Sequence, residues 1–82
     1  MQTIMIDGSM YAATQDLHAA LKKMLALPSW YGMNADALND CLGEMRETVN
    51  LWILNPGQNE VASAVSLVSR VIRDNGGTVK EL

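Results

Sequence analysis

Leu51-Trp52-Ile53-Leu54 is the longest block of consecutive large apolar residues in this chain. Set between Asn50 and the turn-forming Asn55-Pro56-Gly57, the block is too short for a helix and too uniform for a strand with one wet face. It predicts a strand over Val49–Leu54 that is buried on both faces and sits at the centre of its sheet, the pattern of parallel sheets with helical crossovers. A chain of 82 residues has room for one small domain, 1–82, so every other segment must be arranged around that strand.

The flanking segments fit this demand. Thr3–Ile6 is a short β-rich run closed by the turn dipeptide Asp7-Gly8. Leu17, Ala20, Leu21, Met24 and Leu25 then recur at the i, i+3, i+4, i+7, i+8 positions of an amphipathic helix, with Thr14-Gln15-Asp16 as its polar start and Pro28 beyond its end. Asp16 in the first turn and Lys22-Lys23 toward the last match the helix dipole. Asn34 is placed to cap a second helix, whose apolar face is Leu38, Cys41, Leu42 and Met45. Val61, Ala64, Val65, Val68, Val71 and Ile72 mark a third, helical by period and length despite its β-branched residues, and stopped by Gly76-Gly77. Thr78–Leu82 is a final short strand. The order strand, two helices, strand, helix, strand implies a small layered α/β fold: a three-stranded parallel sheet with three main helices.

Composition narrows the function. An apolar fraction of 49% and a charged fraction of 18% belong to a folded protein. A net charge of −3, with six Lys and Arg, argues against direct nucleic-acid binding, which needs a basic surface. The single cysteine, Cys41, excludes an internal disulfide framework and a cysteine zinc site, and its helical position suggests a buried thiol. The N-terminus has no basic start followed by an apolar run, and no stretch is apolar enough to span a membrane, so a cytoplasmic location and no membrane partner are expected.

The most pointed signal lies on the second helix. Asp36, Asp40, Glu44 and Glu47 follow one another at spacings of four, four and three, one acidic stripe directly behind Trp30-Tyr31-Gly32. Surface helices usually mix signs, yet the only nearby base, Arg46, falls off the stripe. Such a face either serves solubility or meets a positively charged partner. A catalytic or metal-binding pair built on Asp36 and Asp40 lacks the converging nucleophile, base and electrophile a reaction needs, and no phosphate loop or His pair is present, so neither catalysis nor a cofactor is expected. His18 has no acid placed to orient it and reads as a structural or exposed helix residue; Trp52 reads as core. The pair Trp30-Tyr31 can anchor to its own core or to a partner, and composition leaves both fates open.

The string from Asp16 to Leu42 resembles the barstar family of intracellular ribonuclease inhibitors, most densely at Asp16-Leu17-His18, Lys22-Lys23, Leu25-Ala26-Leu27-Pro28, Tyr31-Gly32, Asn34, Asp36-Ala37-Leu38 and Asp40-Cys41-Leu42. The resemblance implies a barstar-like fold in which the second helix and its preceding loop enter the cleft of a small basic ribonuclease or a ribonuclease toxin domain. Asp40 would take the phosphate position and Asp36 would face the same basic cleft, with Trp30, Gly32, Asn34 and Ala35 in the contacting loop. The resemblance is incomplete at three positions. Asn39 and Met45 stand where the family has tryptophans, and Val71 aligns with a glutamate of the last helix. Glu44 is a further candidate contact, restoring negative charge elsewhere on the rim. These expectations describe an inhibitor or immunity protein without catalysis of its own. An adaptor whose acidic helix docks a basic partner other than a nuclease is the alternative.

Overall fold

The protein is described from a computed structural model covering residues 1–82. Strands β1 (Gln2–Asp7), β2 (Val49–Asn55) and β3 (Thr78–Glu81) form one parallel sheet in chain order, with β2 central. Helices α1 (Thr14–Met24) and α2 (Ala35–Glu44) occupy the first crossover, and α3 (Asn59–Asp74) the second. The sheet, its order and the three helices agree with the architecture that periodicity predicts. A 3-10 turn over Gly8–Met10 follows β1, its entry capped by the Asp7 carboxylate accepting from the Ser9 N–H.

The expectation that β2 is buried on both faces is overturned. Val49, Leu51 and Ile53 are buried, but Trp52 and Leu54 between and beyond them are 36% and 47% exposed. On β1, Ile4 and Ile6 point into the core while Met5 does not. The reason is topological. Right-handed crossovers that advance across a sheet in one direction put all their helices on the same side. The opposite face carries two visible rows across the strands. Thr3, Asn50 and Thr78 are joined by hydrogen bonds from Asn50 Nδ2 to Thr3 Oγ1 (3.4 Å) and from Thr78 Oγ1 to Asn50 Oδ1 (2.6 Å). Met5, Trp52 and Lys80 form the neighbouring row.

The covered side holds one cluster of 19 buried residues. Leu17 and Leu21 of α1, Leu38 and Leu42 of α2, and Val61, Val65, Val68 and Ile72 of α3 pack over Ile4, Ile6, Leu51 and Ile53. Among the helices, α3 contacts both α1 and α2 as well as the sheet. Helix endings explain how the chain turns so tightly. After α1 the N–H of Leu27 bonds to Lys22 O (2.9 Å) and that of Ala26 to Lys23 O (3.3 Å), a Schellman ending with Ala26 in the left-handed region at φ 51°. The end of α3 repeats this with Gly76 at φ 82° and the Gly77 N–H on Ile72 O (2.9 Å). Gly8 and Gly57 let the turns after β1 and β2 touch, since a Cβ on Gly8 would stand 2.5 Å from Gly57 N.

Candidate functional site

The loop from Pro28 to Asn34 holds its two aromatic residues in opposite directions. Tyr31 is 4% exposed and Trp30 is 69% exposed. Tyr31 turns inward because its hydroxyl finds a partner there: His18 Nδ1 on α1 lies 2.6 Å away, and the hydroxyl also reaches Asn34 O at 3.4 Å. Burial pushes the phenol up to about 12, with the Cys41 thiol adding to the rise, so it stays protonated. Burial also holds His18 below the usual histidine range, so the imidazole is neutral near pH 7. His18 is thus structural, and it is oriented by a phenol rather than by an acid. Its place on the buried stripe with Leu21 and Leu25 was the signal available.

Asn34 then starts α2. Its Oδ1 accepts from the Ala37 N–H (2.8 Å) and its Nδ2 donates to Gly32 O (3.1 Å), so one side chain caps the helix and closes the loop before it. Met33, between them, is in the left-handed region at φ 59°, a conformation that costs a non-glycine residue roughly 1–2 kcal/mol. Gly32 is exposed and close-packed: a Cβ there would come within 3.2 Å of the Ala37 side chain. Ala35 is half-buried against the core.

Leu38, Cys41 and Leu42 hold the apolar face of α2 inward, which leaves Asp36, Asn39, Asp40 and Glu44 exposed. Burial is the main influence raising the Cys41 thiol, with Glu44 and Asp40 adding to it, so it is an inert thiol beneath the acids. No hydrogen bond within the chain ends on the carboxylates of Asp36, Asp40 or Glu44. The stripe is shorter than its spacing suggested. The helix ends at Glu44, Met45 is already extended at ψ 144°, and Glu47 lies in the bend beyond it.

One further residue of this surface comes from the end of α3. Asn75, the residue that caps α3, donates from Nδ2 to Asn39 Oδ1 (2.9 Å) and to Val71 O (2.8 Å), tying α3 to the middle of α2. Asp74, the last residue of α3, is exposed. Val71, where the resemblance puts a glutamate, is only 9% exposed and packs in the core. Asn39 is exposed but already engaged. In the sequence, the stop of α3 is marked by Gly76-Gly77, and Asn75 beside it carries no signal of its own.

A family model described as Barstar, the barnase inhibitor, matches residues 1–73. The chain belongs to the barstar family. A barstar-family reading also accords with a relative from Bacillus subtilis (strain 168), YrdF, provisionally named as a ribonuclease inhibitor, which is 48% identical over 42 residues. That match spans 51% of this chain and 46% of the relative, about half the length of each. The barstar resemblance first seen between Asp16 and Leu42 therefore extends, at the level of the family, from β1 through nearly all of α3. No helix is long and apolar enough to cross a membrane.

Proposed function

We propose that this chain is an inhibitor or immunity protein that occupies the active site of a small basic ribonuclease or ribonuclease toxin domain with α2 and the loop leading into it. The observation that supports this most is the surface that α2 and the loop offer a partner: three outward carboxylates with no internal hydrogen bond, and an outward Trp30 beside an inward Tyr31. Carboxylates at Asp40 and Asp36 accept the charge-assisted hydrogen bonds that Arg, Lys and His side chains of a nuclease cleft offer to an RNA phosphate. Trp30 supplies the rigid aromatic area on which interfaces concentrate binding. The loop comes ordered, because Tyr31 and Asn34 fix its ends, so little conformational entropy is lost on docking. The protein performs no reaction of its own in this reading.

The deciding experiment titrates purified protein against barnase, and against any small basic ribonuclease encoded beside it, while following cleavage of a fluorogenic RNA. Asp40→Ala is expected to lose tenfold or more in inhibition with an unchanged circular dichroism spectrum, because the basic cleft is left unanswered. Barnase with barstar is itself the reference pair for such losses. Unchanged inhibition by Asp40→Ala would sink the mechanism. Full ribonuclease activity in the presence of wild-type protein that still binds a basic protein would point to the adaptor reading.

A further inference from the structure

The end of α1 and the end of α2 meet around an open cavity of about 160 Å³. It is walled by Leu25, Leu27, Pro28 and Met45, with buried Cys41 beneath and exposed Glu44 at its rim. The volume is far above the roughly 10–15 Å³ that one water needs, and five of the seven residues around it are hydrophobic.

The charge around this cavity is out of balance. Glu44 lies in the last turn of α2, where the helix dipole is negative and favours a cation, yet α2 has no basic residue in that turn. Glu44 accepts no hydrogen bond from within the chain, and Asp40 one turn earlier adds charge of the same sign; both raise the thiol below. An apolar hole with a negative rim fits a group that is apolar along its stem and cationic at its tip.

We propose that this cavity receives a lysine or arginine side chain of the partner protein, its methylenes against Leu25, Leu27 and Met45 and its charged head on Glu44 and the α2 carboxyl end. The assignment rests on the reading of α2 as a docking surface for a basic protein, and it extends that surface past Asp36 and Asp40 to the far end of the helix. The cavity thus selects partners by the placement of one basic residue, separately from the phosphate-like role of Asp40.

The test needs no nuclease. The ¹⁵N-labelled protein is titrated with n-butylguanidinium and, separately, with its two halves, guanidinium and n-butanol, while amide shifts are followed. Saturable shifts confined to Leu25–Leu27, Cys41, Glu44 and Met45 are expected, with n-butylguanidinium bound about fivefold more tightly than either half, the upper end for a partly exposed ion pair. Glu44→Gln, an exposed change that leaves the core alone, should reduce binding to the level of n-butanol, and Met45→Trp should abolish it by filling the hole. Equal binding by n-butanol, or guanidinium shifts of equal size at Asp36 and Glu44, would overturn the proposal. Because the probe replaces the partner, a null result here leaves the inhibition reading standing, and failure of Asp40→Ala to weaken inhibition leaves this titration unaffected.

Discussion

At the residue scale, the contact between His18 and Tyr31 links the core to the exposed surface. Neutral His18 completes the bond that turns Tyr31 inward, and Tyr31 sits between Trp30 and Gly32, both exposed. A proton on His18 is opposed by burial in the folded protein, and the unfolded chain, with an ordinary histidine value near 6.5, binds it more readily. The contribution of His18 to stability is therefore complete above about pH 6.5 and is lost as pH falls through and below that value. Urea denaturation at intervals from about pH 7.5 to 5.5 should show the midpoint falling, and His18→Gln should flatten this part of the profile. An unchanged slope in His18→Gln would show that another group is responsible. The residue scale is also where the sequence was least informative. A phenol thirteen positions away leaves no local pattern beside a histidine, and a cap residue such as Asn75 shows its second hydrogen bond only after α2 and α3 have packed.

At the scale of elements, β2 separates what periodicity can and cannot reveal. The composition of Leu51-Trp52-Ile53-Leu54 located the strand and its central place correctly, because β-branched and aromatic residues crowd central strands. It misjudged the faces, because an apolar residue on an uncovered face reads the same as one in a core. The two sides should now separate in mutational cost. Leu51→Ala, at a fully buried site, is expected to cost about 2–5 kcal/mol, whereas Trp52→Thr should cost clearly less in chemical denaturation at constant m-value. Similar losses at both positions would mean that the outer face is covered in solution. The second helix was more legible. Its cap, inward leucines and outward acids were all written in local spacing, and its end was legible only to within Glu44 or Glu47, because Glu47 keeps the period after the backbone has left the helix.

At the scale of the whole molecule, nine acids against six Lys and Arg leave a net negative body, with three carboxylates gathered on one helix. Such a field speeds encounter with a positively charged protein and is weakened as the Debye length shrinks from about 10 Å at 0.1 M salt to about 3 Å at 1 M. Stopped-flow mixing with an inhibited ribonuclease should therefore show an association rate that drops steeply with salt, while dissociation changes little. An association rate indifferent to salt would count against electrostatic docking by α2. Family membership was legible at this scale because a dense block of identities marks a short recognition segment and its supporting core together. The partner was not, since the choice among basic clefts depends on a few rim residues, Asn39, Glu44 and Met45 among them, whose positions carry no pattern of their own.

The hydrogen-bonded row Thr3–Asn50–Thr78 also sets an order of events. Joining β2 to β3 closes 28 residues, and joining β1 to β2 closes 47. The longer closure costs only about 0.5 kcal/mol more in chain entropy, but it must also bring two helices with it. Refolding should then assemble β2, α3 and β3 before β1 arrives, so that Val79→Ala slows folding while Ile4→Val mainly hastens unfolding. During synthesis β1 waits unpaired until the centre of the sheet has left the ribosome.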